Sequence, residues 1–225
     1  PPLIRSINRE METSDLTTTI TGQDRAKLAD MLFEIGAVKF GAFRIKLHET
    51  RPDAPLSPIY LNFRLLRSYP EALGFAAELL LKLAGPLEYE LLADIPTGIT
   101  PIVAVMTYLG KVPMISPRKE TKAYGLGVAI DGEYKEGQRV LLVDDLISAG
   151  DSKFDAIEKL QKGGLVVEDV LVVVDRQQGG AAMLTEKGFR PHAVVTISQL
   201  LERYRQTGAI DEDRYHQVVE YLALK

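Results

Sequence analysis

Arg139-Val140-Leu141-Leu142-Val143-Asp144-Asp145-Leu146-Ile147-Ser148-Ala149-Gly150-Asp151-Ser152 is the stretch from which the rest of the 225-residue chain is read. It opens as a continuous Val- and Leu-rich run, the pattern of a strand buried on both faces of a parallel sheet. Two carboxylates, Asp144 and Asp145, follow where the strand is expected to end. A loop of small residues comes next, and helical spacing takes over from residue 152 to 163. In open α/β sheets, ligands bind outside the carboxyl ends of the strands. The loop and the first helical turn offer free backbone N–H groups and a positive dipole end, which suit a phosphate. The aspartates suit the opposite need: they accept hydrogen bonds from two neighbouring hydroxyls or help to hold a hydrated Mg²⁺. A ligand with both a phosphate and a vicinal diol is a ribose 5-phosphate.

Residues 142–150, Leu-Val-Asp-Asp-Leu-Ile-Ser-Ala-Gly, resemble the 5-phosphoribosyl 1-diphosphate (PRPP) motif of the type I phosphoribosyltransferases. That resemblance implies an α/β fold whose central, mostly parallel sheet is flanked by helices, with a small N-terminal hood. The plain structural alternatives are that Asp145 caps a helix and Asp144 ends a strand. A P-loop ATPase also ends an apolar strand in acids. It needs a Gly-rich loop closing on Gly-Lys-Ser/Thr, which this chain lacks.

Composition bounds the rest. A chain of 225 residues fits one α/β domain with an N-terminal elaboration, or two small lobes. Hydrophobic residues at 46% supply a sizeable core, and charged residues at 26% a soluble surface. A net charge of -4 disfavours a general nucleic-acid or anionic-membrane binder. The absence of cysteine excludes disulfides, Cys-ligated zinc and thiol catalysis, and suits a reducing compartment. No apolar run reaches the ~18 residues of a membrane span, and the N-terminal stretch lacks a signal-peptide core. A cytoplasmic location is expected. The chain opens on Pro1-Pro2 rather than Met, as expected of a processed product or a piece of something longer.

Residues 1–22 are polar and Thr-rich and are expected to form a weakly structured arm. The resemblance implies a phosphoribosyltransferase domain over residues 23–225, with hood elements at about 37–64, a core at about 70–200 and C-terminal helices at 198–223. Helical spacing covers 24–34, with Gly36 as its stop. Strands are expected at 38–46 and 57–64, around a loop carrying Pro52 and Pro55. Residues 70–84 form an amphipathic helix with Pro70 near its start. From residue 89 strands and helices alternate, as in a doubly wound sheet. A hairpin is expected around Asp131-Gly132, and Ser198 is expected to cap the helix that follows it.

Arg118-Lys119-Glu120-Thr121-Lys122-Ala123-Tyr124-Gly125 places three cations on the long loop 117–138. Loops of this length inside compact domains are lids or disordered segments. Three cations suit the charge that grows on a departing diphosphate, and the alternative is a solvated charged loop. The segment resembles the mobile catalytic loop of orotate phosphoribosyltransferase. The resemblance implies a homodimer whose loop reaches the neighbouring subunit's site, with Arg118, Lys119 and Lys122 on the diphosphate. Tyr124 stands where the common bacterial form has His, and in this the chain is similar to the transferase domain of bifunctional UMP synthases.

Three further stretches are similar to that family, one of them the terminal helix pair from Ile197 to Leu222. Residues 39–46, followed by Ser57-Pro58-Ile59-Tyr60, match its hood, with Lys46 as the base-side lysine. Residues 174–180, Val-Asp-Arg-Gln-Gln-Gly-Gly, match its base-binding strand end, with Arg176 reading the orotate carboxylate. The resemblance covers residue 37 to the end. It implies a Mg²⁺-dependent glycosyltransferase of pyrimidine biosynthesis that moves ribose 5-phosphate from PRPP to orotate, giving orotidine 5′-monophosphate and diphosphate. Asp144 and Asp145 would hold the ribose hydroxyls. Ser148, Ala149, Gly150, Asp151 and Ser152 would hold the 5-phosphate. Thr97, Gly98 and Tyr124 would line the diphosphate side, and Lys46, Tyr60, Ser148 and Arg176 the orotate. No metal is expected to be held by protein alone, since Mg²⁺ arrives with PRPP near Asp144 and Asp145.

The chain also departs from the family. Leu47-His48 and extra residues through Leu56 replace a Ser-Gly turn, residues 94–100 diverge although Gly98 is in place, and Asp151 replaces a small residue. An anion beside the 5-phosphate is repulsive unless its side chain turns outward. His48, His192 and His216 share no metal-ligand spacing. A phosphoribosyltransferase for another base, and a non-catalytic PRPP-sensing regulator, remain as alternatives.

Overall fold

Thr21 and Asp24 start the first helix reciprocally. The Asp24 N–H donates to the Thr21 hydroxyl and the Thr21 N–H donates to the Asp24 carboxylate. That capping box begins α1 (Gly22–Glu34) at residue 22 rather than 24. In the computed structural model the described residues are 19–45, 47–118, 129–148 and 151–223, without the side chains of residues 47, 151 and 152. The hood follows as β1 (Val38–Phe43), α2 (Leu47–Thr50) and β2 (Ser57–Leu61), with the two strands antiparallel and Lys39 opposite Tyr60.

The residues between these strands were expected to form a plain loop, yet they close around a side chain. His48, 6% exposed, accepts the Ile45 N–H on Nδ1 at 3.0 Å and donates from Nε2 to the Ala54 carbonyl at 3.1 Å. The neutral Nε2–H tautomer satisfies both contacts. A 3₁₀ turn (Phe63–Ser68) then leads to α3 (Pro70–Ala84).

The main sheet is built from β3 (Leu91–Asp94), β4 (Met114–Pro117), β5 (Ile130–Asp131), β6 (Arg139–Ile147), β7 (Val166–Asp175) and β8 (Arg190–Thr196), in the spatial order β5-β4-β3-β6-β7-β8. All pairs are parallel except β4–β5. The interleaved helices are α4 (Thr100–Gly110), α5 (Asp151–Lys162) and α6 (Gly180–Glu186). Two more, α7 (Ile197–Gln206) and α8 (Glu212–Ala223), close the chain.

Strand alternation assigns the two faces. Leu141, Val143, Leu171 and Val173 point into the layer of α1, α3, α4 and α7, whereas Val140, Leu142, Val170 and Val172 point into the layer of α5 and α6. Both faces are covered, which is why these strands read as unbroken apolar runs. Among the described residues no helix is long and apolar enough to cross a membrane.

Three local expectations are corrected. The hairpin is formed by β4 and β5, pairing Ser116 with Asp131 and Pro117 with Ile130, so it spans the long loop instead of turning at Asp131-Gly132. The cap of α7 is Thr196, in a capping box with Gln199, while Ser198 donates its hydroxyl to Gln177 Oε1 at 2.5 Å. Finally, β6 does not stop at its acids but runs through them to Ile147.

Candidate active site

The order of the sheet locates the site. Of the parallel strands, β3 comes first in the chain, yet it lies inside, with β4 on one side and β6 on the other. The strand order therefore reverses between β3 and β6, and the crevice beyond their carboxyl ends is where such sheets take ligands. The loop after β3 and the acidic pair of β6 meet there. A Cβ built on Gly98 would stand 3.2 Å from Asp145 Oδ2 and 3.9 Å from Arg64 Nε. A larger residue at 98 would fill the space between that carboxylate and that guanidinium. Arg67 Nη2 donates to the Thr97 carbonyl at 3.2 Å, and the Pro96–Thr97 peptide is cis. Arg64 and Arg67 went unnoticed in the sequence because they sit in a short 3₁₀ turn with no motif of its own.

Asp94, fully buried at the end of β3, accepts hydroxyl hydrogen bonds from Thr100 at the start of α4 and from Ser116 on β4. It thus fixes both the loop that carries Gly98 and the stem of the segment after β4. The divergence at 94–100 has this physical content.

The acidic pair is asymmetric. Asp144 is buried, and Lys153 Nζ donates to its Oδ2 at 2.7 Å, while the Asp145 N–H donates to its Oδ1 at 2.9 Å. Asp145 is less enclosed, and its Oδ2 faces the Gly98 loop. Desolvation and the neighbouring Asp144 charge push the Asp145 carboxyl up to about 7, against the opposing pull of Lys153.

The loop after β7 is stitched to the end of β6. The Arg176 N–H donates to the Ile147 carbonyl at 2.9 Å and the Gly180 N–H to the Ser148 carbonyl at 2.8 Å. A Cβ at Gly180 would overlap that Ser148 carbonyl, so only glycine allows the approach. Asp175 accepts the Gln177 N–H at 2.7 Å, which leaves it turned back on its own loop. Arg176 is 7% exposed, and its Nε and Nη2 have no hydrogen-bond partner among the described residues. Burial pushes the guanidinium below its ordinary range. Two adjacent unpaired N–H groups on one buried guanidinium form the fork that a carboxylate fills.

The other anticipated residues are placed as follows. Tyr60 is exposed on β2, with its ring 5.5 Å from that of Phe43. Arg118 stands at the stem of the long loop, where its Nε donates to both Asp131 carboxylate oxygens at 2.9 Å. Lys46, Lys119, Lys122, Tyr124, Ala149 and Gly150 lie outside the described residues, as do the side chains of Asp151 and Ser152. Among the described residues no cluster of three His, Asp or Glu side chains could hold a metal ion.

No family model matches the chain. It is 35% identical over 193 residues to the orotate phosphoribosyltransferase of Pyrobaculum aerophilum, covering 85% of this chain and 96% of that one. The structure of Leishmania donovani UMP synthase matches with a TM-score of 0.80 at 35% identity, over 89% of this chain and 42% of that one. The chain thus spans about two fifths of that protein. The orotate phosphoribosyltransferase of Aeropyrum pernix matches with a TM-score of 0.70 at 29% identity, over 82% of this chain and 99% of that one. A relative at this identity, matched over nearly its whole length, settles the assignment: the chain belongs to the orotate phosphoribosyltransferases, a family with the type I phosphoribosyltransferase fold.

Proposed function

We propose that the chain transfers ribose 5-phosphate from PRPP to orotate, releasing diphosphate, with Mg²⁺ carried in by PRPP and the site completed by a second subunit. The observation that carries the choice of base is Arg176. A buried guanidinium with two unpaired donors is costly unless an anion completes it, and the anion that fits the fork is a planar carboxylate. Orotate has one, whereas uracil and the purine bases do not. On the other side of the reacting carbon, Asp145 accepts hydrogen bonds from the ribose hydroxyls, and Ser148 and the start of α5 take the 5-phosphate.

Asp144 is already committed to Lys153, so Asp145, whose Oδ2 faces the Gly98 loop, is the carboxylate turned toward the ligand. A single hard oxygen donor fits a metal bound chiefly by the substrate's own oxygens. When bound, Mg²⁺ neutralises charge on the leaving diphosphate. Arg64 and Arg67 line the Gly98 loop on the same side, and Lys119 and Lys122 of the long loop add to them as the bond breaks. A chain without cysteine suits the cytoplasm, where we place the reaction.

The direct test is product formation from PRPP and Mg²⁺ against a panel of bases. Orotate is expected to be consumed, with uracil and purines turned over at least about 10²-fold more slowly, the value of one charge-assisted pair. Equal use of uracil would remove orotate from the reading.

The shared site has its own test. Lys122→Ala is expected to lower kcat, because its partner charge develops in the transition state. Asp145→Asn is expected to be inactive through loss of substrate binding. Mixed and allowed to exchange subunits, the two should regain part of the wild-type rate, since one hybrid site has both an intact loop and an intact acid. Subunit exchange without regained activity would mean that each loop serves its own subunit.

A further inference from the structure

Lys153 is not part of any motif read from the sequence, and it is 2% exposed in the first turn of α5. A lysine in that position ordinarily snorkels to solvent. Here its ammonium turns inward and makes two contacts, to Asp144 Oδ2 at 2.7 Å and to the Leu146 carbonyl at 2.6 Å. Both contacts are on β6, beyond Val143, where β3 has left the ladder. Residues 148–150 link the two elements that Lys153 joins.

We infer that Lys153 is a positioning residue of the phosphoribosyl site. By tying the start of α5 to Asp144 and to the Leu146 carbonyl, it holds the start of α5 at a fixed separation from the end of β6 and leaves Asp145 as the ligand-facing acid. A buried ion pair is expensive to assemble, and replacing it by apolar residues is often neutral or stabilising, so stability alone is a weak account of it. Geometry is a better one. A phosphate cradle made of backbone N–H groups works only when the strand end and the helix start are held at the right separation, and preorganised donors bind without ordering cost. The inference rests on the reading of this crevice as the PRPP site.

The test is steady-state kinetics of Lys153→Met and Lys153→Arg, each assayed at least 10 °C below its own melting temperature. Since the cradle holds the 5-phosphate equally in ground and transition states, its loss falls on binding. Lys153→Met is expected to raise the PRPP KM about tenfold or more, with kcat at saturating PRPP within about threefold of wild type. Lys153→Arg, which keeps a cation with several donors, should recover most of that loss. If Lys153→Met does not fold, Lys153→Gln, which removes the charge and leaves Asp144 in place, is read in the same way. An unchanged PRPP KM, or a fall in kcat with KM unchanged, overturns the inference. Wild-type protein that fails to bind PRPP in calorimetry overturns the site reading instead, and the two failures are distinct.

Discussion

Asp145→Asn is expected to lower PRPP affinity by about 10²-fold or more and to abolish measurable turnover, while raising the melting temperature at pH 8. The first part follows from the loss of charge-assisted hydrogen bonds to two ribose hydroxyls, each worth about 1.5–3 kcal/mol. The second follows from linkage. The Asp145 carboxyl is raised from 3.8 to about 7, chiefly by desolvation and then by the Asp144 charge. Between those values the folded protein keeps a proton that the unfolded chain has released. Stability therefore falls as pH rises through that window, and the full penalty is present above it. Asparagine has the same shape and no charge, so it escapes the penalty. Thermal melts of both proteins at pH 5 and pH 8, with calorimetry against PRPP and Mg²⁺, would check both parts. Unchanged PRPP affinity would remove Asp145 from the ribose site. Asp144→Asn behaves differently, because it strands the buried Lys153 ammonium. Breaking one side of a buried pair costs about 3–5 kcal/mol, so adding it to Asp145→Asn would confuse loss of the site with loss of the fold.

That asymmetry was not legible in the sequence, and the reason is physical. Two adjacent aspartates look equivalent along a chain, and what separates them is a contact to a lysine nine residues away across a loop. Local periodicity carries no trace of such a contact. Lys153 itself looks like a solvated helix residue. The same holds for Asp94, whose partners Thr100 and Ser116 lie on separate elements. His48 was set aside for want of ligand spacing, yet it closes the residues between the hood strands through backbone partners, which have no sequence identity to detect.

The frame of the fold, by contrast, is written in local pattern. Val140 to Val143 and Val170 to Val174 are buried on both faces, and a run of that kind has few other uses. Proline at the start of α3 and the acid–small residue–helix order at the end of β6 are equally local signals. Element ends were harder to read, because an end depends on what stands beside it. β6 outruns its acids because β7 continues alongside to Asp175, and Thr196 takes the cap from Ser198 because Gln177 holds the Ser198 hydroxyl.

Arg176 joins both kinds of information. Its place after a buried strand was visible in the sequence, and its unpaired state was not. Arg176→Ala is expected to lower kcat/KM for orotate by about 10²-fold or more, about 3 kcal/mol for a charge-assisted bidentate pair. PRPP affinity should change little, because Arg176 lies on β7's loop and not among the residues that receive the phosphate. The stability effect should be small or favourable, since Nε and Nη2 have no partner to lose among the described residues and burial already disfavours the charge. An arginine that served the fold would show the reverse, with a marked drop in melting temperature and unaltered orotate kinetics. The competing surface pairing with Asp175 is disfavoured, because that carboxylate accepts the Gln177 N–H of its own loop. Steady-state kinetics with orotate and uracil, run beside thermal melts, separate these accounts. Discrimination between the two bases should shrink in the variant, since only orotate has the carboxylate that Arg176 is placed to receive. A variant that keeps full discrimination would assign the carboxylate to another residue.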